Sequence, residues 1–489
     1  MNKLYLYILF VITSVSIQAH SLTQRLDSLL NDPLLKTSEV GLAVFDLKTG
    51  EQVYQYQDEK LYRPASTEKV ITSVTALARL GTDYTMDTRL QYTGSIENDT
   101  LKGNLYLVGG FDPELMDADL DSLVEAVART GIRFIADTLA ADVSMMDSVY
   151  WGKGWSWDDA PDSFQPYLSP LMLNRGCVDV TVFPTVKDSL PDVLCVPVSN
   201  YYQVDNHAVS HQPQSGKLKI TRNWLENGNR IQISGNVTKE TTRTLSIHTS
   251  KDFFFHTFVH RLKARGIEAN AMAFTDCPEP DSLTVVSSLF TLKRPIGEVL
   301  KQMMKESDNL CAESMFYHLA TQFAAKKRMS SNDGSDAIYD FMKQTLGFHP
   351  EPYNIVDGSG VSLYNYVSPQ LLLEYLKYAY RHAEIFQPFY ESLPIAGIDG
   401  TLEHRMKKTK AYRKVRAKTG TVKGVSSLAG YAQAANGHLL AFVIINQNVM
   451  KARQARAWQD KVCQALCSSE LIIGTPTPWI SVGMTKVMK

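Results

Sequence analysis

The sequence predicts an α/β (α+β) protein: an antiparallel sheet flanked by helices and interrupted by a large β-rich insertion. Three observations predict it. Residues 39–56, EVGLAVFDLKTGEQVYQY, place β-branched and aromatic residues on both sides of a Gly-bearing tip, and residues 415–445 hold three further runs of that kind, so a sheet begun near the N-terminus can be completed near the C-terminus. Apolar residues recur at helical spacing just after the first hairpin and again beyond residue 295. Between these parts the chain alternates in short strand-like runs separated by Asn, Gly and Asp.

Taken in order, Met1-Asn2-Lys3 leads an apolar run over residues 4–17 that closes on Gln18-Ala19-His20. Short, positively led and ended by a small residue, residues 1–19 read as a secretory signal peptide, and the mature chain as exported. No Cys stands at the cleavage point, so no lipid attachment is expected. After the hairpin, Arg63-Pro64-Ala65 leads into Ser66 and a helix over 67–80, with Val70, Val74 and Leu77 on one face and Gly81 as its stop. Residues 85–288 read as an inserted β-rich accessory domain or domains, mostly short antiparallel strands such as 88–92, 105–108, 178–183 and 230–237, closed by a helix over 252–265. Beyond Arg294-Pro295, Ile296, Val299, Leu300 and Met303 share one helical face, and Ala312, Phe316, Leu319 and Phe323 another, so Ser307-Asp308-Asn309 joins two helices. Strands follow at 415–419, 427–433 and 439–445, broken at Lys423-Gly424 and Asn436-Gly437. The catalytic domain is thereby expected to be discontinuous, residues 20–84 plus 289–467, with 468–489 as a C-terminal tail carrying Pro476 and Pro478.

A length of 489 residues suits two or three domains. The 50 basic and 51 acidic side chains cancel and no basic run appears, which excludes a nucleic-acid partner on electrostatic grounds. Six cysteines form no C-x-x-C pair and no metal spacing; buried thiols and disulfides are both admitted. His207 and His211 stand four apart in a polar stretch with no Glu between them and read as surface residues, so no metal is expected.

The chemistry lies in three strings. Serine attacks a carbonyl only if a base takes its proton, and in Ser66-Thr67-Glu68-Lys69 the amine one helical turn later faces the hydroxyl. Lys69 serves as that base only if burial or a nearby cation keeps part of it neutral, and Lys418 would be such a cation. Ser307-Asp308-Asn309 offers a hydroxyl to relay a proton and an amide to bind a peptide. Lys418-Thr419-Gly420-Thr421, on a strand, offers a cation, hydroxyls for a carboxylate and a glycine that lets substrate backbone come close. A second Lys-Thr-Gly, Lys48-Thr49-Gly50, precedes the nucleophile at a hairpin tip and reads as a plain turn.

The set S-x-x-K, S-D-N and K-T-G, in this order, is similar to that of penicillin-binding proteins and class A β-lactamases. About half the chain separates Ser66 from Ser307, and Arg63-Pro64-Ala65-Ser66, Gly154 to Asp159, Asp357-Gly358-Ser359-Gly360 and Asp399-Gly400-Thr401-Leu402 also match. The chain thus resembles the class C low-molecular-mass penicillin-binding proteins, the D-alanyl-D-alanine carboxypeptidase/endopeptidases of the penicillin-binding protein 4 type. The resemblance implies a transpeptidase/β-lactamase-like fold and hydrolysis of the D-Ala-D-Ala bond, or of D,D cross-links, in peptidoglycan stem peptides. It implies Ser66 as nucleophile, Lys69 as base, Ser307 and Lys418 as proton relay and Asn309 as holder of the donor peptide. By the same resemblance Ser66 and Thr421 N–H groups form an oxyanion hole, Thr419, Gly420 and Thr421 receive the terminal carboxylate, and Asp159 and Arg405 face the diamino-acid side chain. Asp159 can equally cap a turn and Arg405 lie on a solvated helix face. Trp151, Trp155 and Trp157 read as core or as glycan-stacking residues. No cofactor is implied; β-lactams are implied as covalent inhibitors, a homo-oligomer is admitted, and the location is the periplasm or a loose association with membrane or wall. Glu306, before Ser307, stands where a basic residue is common.

Two other readings share the motifs. A serine β-lactamase of class A needs a Glu after S-D-N, and no E-x-x-x-N string lies between Asn309 and Lys418. A non-catalytic wall-binding or β-lactam-sensing module would not need all five of Ser66, Lys69, Ser307, Asn309 and Lys418.

Overall fold

The computed structural model describes residues 21–279 and 285–469. The expected signal peptide, and the expected tail from residue 470 on, lie outside the described residues. A five-stranded antiparallel sheet runs in the spatial order Val415–Val422, Gly424–Gln433, Leu439–Val449, Glu39–Asp46 and Glu51–Tyr56, so the first and last parts of the chain meet where Glu39–Asp46 pairs with Leu439–Val449. Lys48-Thr49-Gly50 is a hairpin tip, with Asp46 Oδ1 accepting the Lys48 and Thr49 N–H groups and Gly50 at a φ of 76°. Period-two alternation sends the strand side chains to opposite faces. Ala43, Val443 and Ile445 meet helices Glu68–Leu80, Ile296–Lys305, Asn309–Phe323 and Pro369–Arg381, whereas Leu42, Val44, Phe442 and Ile444 meet the C-terminal helix Ala452–Ser468 and helix Leu22–Leu29. The sheet is therefore covered on both faces. The result is the expected α/β fold, an antiparallel sheet flanked by helices.

The intervening stretch builds its own core, whose fully buried members all lie between Leu90 and Ile267. Most strand pairs here are antiparallel, as expected, but four are parallel. Phe134–Asp142 pairs in parallel with Leu105–Val108, Thr100–Lys102 and Glu268–Phe274, and Gln203–Ser210 pairs in parallel with Arg230–Val237. Parallel neighbours need a crossover: helix Asp117–Ala128 lies in the one leading into Phe134–Asp142 and helix Ser250–Ala264 in the one leading into Glu268–Phe274, whereas Gln203–Ser210 and Arg230–Val237 are joined through strand Lys219–Arg222. The first of these helices, with Leu120, Leu123, Val124 and Val127 on its buried face, was not anticipated. Strand Val286–Pro295 pairs antiparallel with Thr85–Thr93 and runs straight into helix Ile296–Lys305, so the boundary expected at 288/289 falls inside one strand.

All six cysteines are free thiols, Cys195 half-buried and the rest buried. Trp155 is buried and donates to Asp357 Oδ2 at 2.8 Å, with Trp151 edge-on against it, while Trp157 is exposed and leans on Trp224. No helix among the described residues is long and apolar enough to cross a membrane.

Candidate active site

Ser66 sits in a single 3-10 turn, Ala65–Thr67, that opens directly into helix Glu68–Leu80. The turn is clamped from below. Thr67 Oγ1 and Ser427 Oγ both donate to the Pro64 carbonyl, at 2.7 and 2.6 Å, which ties the nucleophile to the sheet. It is also squeezed from both sides, because a Cβ on Gly420 would lie 2.9 Å from Ser66 N and one on Gly360 would lie 2.0 Å from the Ala65 carbonyl oxygen. Ala65 itself takes a φ of 49°, a strained value that the surrounding contacts hold in place. The helix N-terminus behind Ser66 favours negative charge there.

One helical turn on, Lys69 is fully buried, and its Nζ has three neighbours: Ser66 Oγ at 3.0 Å, Asn309 Oδ1 at 2.8 Å and the Ser359 carbonyl at 2.8 Å. Burial pushes its ammonium down to about 8, against the pull of the Asp357, Glu313 and Asp308 carboxylates. The cause is thus burial before any effect of Lys418, the cation expected to do this; the charge on Lys69 instead helps burial depress Lys418. Lys418, equally buried, contacts Ser307 Oγ and the Thr419 carbonyl, both at 2.7 Å.

Ser307 joins helix Ile296–Lys305 to helix Asn309–Phe323 at a φ of 62°, and Asp308 caps the second helix by accepting the Cys311 N–H at 2.8 Å. The cap and the left-handed residue together aim Ser307 at the edge strand and Asn309 at Lys69. Asn309 also donates one amide N–H to the Phe164 carbonyl at 2.8 Å, leaving one for a ligand. A cavity of about 400 Å³ opens beside the triplet, lined by Phe164, Arg175, Asp179, Glu306, Ser307 and Asn309.

Beneath Lys69 lies a buried acidic group that sequence reasoning missed. Glu313 accepts the Ser359 N–H at 2.9 Å and the Gly358 N–H at 3.3 Å, and burial raises its carboxyl to about 8. Asp357 accepts four donors, from Trp155, Gly360, Ser362 and Asn365, at 2.7–2.8 Å. Glu68, buried with neither oxygen hydrogen-bonded among the described residues, is driven well up by burial. The Asp-Gly-Ser-Gly string was legible as a turn near the cleft, but the part of Ser359 that meets Lys69 is its carbonyl, which no side-chain pattern announces.

The remaining expected residues divide. Thr419 Oγ1 donates to Thr401 Oγ1 at 2.8 Å, and Thr421 is exposed near the end of the same edge strand that carries Lys418. Asp159 is half-buried, its carboxyl raised by burial and by Asp158 and Asp162. Arg405 does not lie on a solvated face: its guanidinium is taken by Asp460 Oδ1 at 2.6 and 2.9 Å, Gln459 Oε1 at 3.2 Å and the Arg456 carbonyl at 3.1 Å. Those partners lie far along the chain, on the C-terminal helix.

The chain is 28% identical over 443 residues to the D-alanyl-D-alanine carboxypeptidase DacB of Haemophilus influenzae, covering 88% of each chain. It is also 28% identical over 439 residues to a D-alanyl-D-alanine carboxypeptidase of Actinomadura sp., covering 87% of this chain and 80% of that one. The crystal structure of penicillin binding protein 4 (dacB) from Haemophilus influenzae superposes with a TM-score of 0.77 at 26% identity, over 89% of this chain and 97% of that one. Another structure of that protein holds a β-lactam. Residues 22–467 match the D-Ala-D-Ala carboxypeptidase 3 (S13) family, and the chain belongs to that family of serine-type D-Ala-D-Ala carboxypeptidases.

Proposed function

We propose that the chain acts outside the cytoplasm on peptidoglycan stem peptides, cleaving the D-alanyl-D-alanine bond, or a D,D cross-link, through an acyl-enzyme on Ser66. The observation that carries this reading is the set of three neighbours around Lys69 Nζ. A neutral amine has two N–H groups and one lone pair. Asn309 Oδ1 and the Ser359 carbonyl can only accept, so both N–H groups are spent on them and the lone pair faces the Ser66 hydroxyl. Burial supplies the neutral fraction.

Ser66 Oγ then bonds to the D-alanyl carbonyl carbon as its proton passes to Lys69. When the C–N bond breaks, the departing amine takes up that same proton, passed from Lys69 by way of Lys418 and Ser307, which are in contact, and Lys69 is left neutral again. The N–H groups of Ser66 and Thr421 would hold the oxyanion, and water attacks the ester to release the product and restore Ser66. Thr419 and Thr421 hydroxyls receive the terminal carboxylate, and Asp159 is assigned to the ammonium of the diamino-acid side chain. Arg405, bound into the C-terminal helix, is assigned to holding that helix rather than to substrate.

The test is intact-protein mass spectrometry after incubation with benzylpenicillin, beside a Ser66→Ala variant. A persistent one-to-one adduct that disappears in the variant supports the reading. Destruction of the drug without an adduct would favour a β-lactamase instead; neither adduct nor turnover would overturn the assignment of Ser66.

A further inference from the structure

We infer that Arg456, on the C-terminal helix, supplies the positive charge that recognises the carboxylate at the substrate's C-terminus. The inference rests on the proposed Ser66 site and concerns which group attracts substrate to it. A carboxylate gives up water when it binds and needs a charged donor in return. The Thr419 and Thr421 hydroxyls are neutral. Lys418 is a poor source of that charge, because it is fully buried with its Nζ engaged by Ser307 Oγ and the Thr419 carbonyl, and burial favours its neutral form.

Arg456 Nη2 lies 3.1 Å from Thr421 Oγ1, at the exposed end of the edge strand. A guanidinium stays charged at any working pH, and a single contact to Thr421 leaves several of its five N–H donors free. No ion pair engages it among the described residues; Asp460, on the next turn of the helix, is taken by Arg405. Its root is fixed on two sides. Arg405 Nη2 donates to the Arg456 carbonyl at 3.1 Å, and Gln459 Nε2 donates to the Ser426 carbonyl at 3.1 Å and to Asn446 Oδ1 at 3.0 Å. Ser426 is the residue directly opposite Thr421 in the sheet, so the helix and the strand end are held in register. A flexible surface arginine has no such anchoring.

The experiment compares acylation rates with benzylpenicillin and with its methyl ester, which differ only in the charge of the carboxyl group, for wild type, Arg456→Ala and Arg456→Lys. The ratio of the two rates cancels any loss of folded protein. Wild type should favour the carboxylate, and the ratio should fall about 10- to 100-fold in Arg456→Ala, the range expected of a charge-assisted hydrogen bond. Arg456→Lys should keep part of it. An unchanged ratio in Arg456→Ala, with wild type labelled normally, overturns this inference alone. A wild type that takes no label from either compound overturns the proposed function and this inference with it.

Discussion

Ser359 is gripped at both ends of its backbone: its N–H donates to Glu313 Oε1 at 2.9 Å, and its carbonyl accepts from Lys69 Nζ at 2.8 Å. The orientation of the general base thus depends on a carboxyl that touches neither substrate nor nucleophile. In Glu313→Ala the Gly358 and Ser359 N–H groups lose their partners inside a closed core, at about 1–3 kcal/mol each. The turn should shift and take the Lys69 amine with it. Benzylpenicillin acylation is expected to fall about 100-fold, since an ångström of misplacement suffices for that. Glu313→Gln keeps one acceptor for Ser359 and should recover part of the rate. Equal acylation by Glu313→Ala and wild type would show that the turn does not orient Lys69.

The pH dependence has a definite sign. Lys69 is a base only as the free amine, and burial holds its ammonium at about 8 rather than near the ordinary lysine value. Below that pH the amine is the minor form, so the acylation rate should climb about tenfold per pH unit and level off above it. Glu313, at about 8 in the same buried cluster, titrates with Lys69, so the midpoint belongs to the group rather than to one residue. Adduct formation followed from pH 6 to 9 checks this, and a flat or falling profile would contradict the role of Lys69.

Gly420 tests how tightly the nucleophile is wedged. A Cβ there would lie 2.2 Å from Ser427 Oγ and 2.9 Å from both the Pro64 oxygen and Ser66 N. Ser427 can rotate away, but only by giving up its bond to the Pro64 carbonyl. Gly420→Ala is therefore expected to cut acylation by about 100-fold or more. Overpacking of this kind costs about 1–3 kcal/mol, so the fold should survive and the melting temperature drop modestly. A variant acylated at the wild-type rate would show that the strand and the Ser66 turn can part freely.

These cases also mark what the sequence could tell. The hairpin at residues 39–56, the helix after Ser66, the junction at Ser307 and the strand bearing Lys418 were legible because each is written in local spacing. The parallel partners of Phe134–Asp142 were not, because a strand's alternation is the same whichever way its neighbour runs. Helix Asp117–Ala128 did carry a signal, Leu120, Leu123, Val124 and Val127, that the surrounding strand-like runs masked. Around Lys69 the missed partners act through the Ser359 carbonyl or, like Glu313, through contacts with backbone N–H groups. The Arg405–Asp460 pair joins residues whose proximity only the closed sheet creates.

Arg175 links the inserted region to the site. It lies in the turn before strand Cys177–Phe183, at a φ of 61°, and its guanidinium bridges Asp308 and Glu114. Asp308 also caps helix Asn309–Phe323 through the Cys311 N–H, so the inserted region holds the residue that sits between Ser307 and Asn309. With the Arg175 side chain 25% exposed and that of Asp308 15%, the pair is too enclosed to behave as a surface ion pair, whose value is close to nothing. Removing it by Arg175→Ala should cost about 1.5–3 kcal/mol, as for a hydrogen bond to a charged group. A double-mutant cycle with Asp308→Asn, read by thermal unfolding and by the acylation rate, isolates the link. Coupling in both readouts is expected, because Asp308 fixes the backbone from which Ser307 and Asn309 project. Coupling in stability alone would mean that the bridge fastens the two cores together without positioning the site.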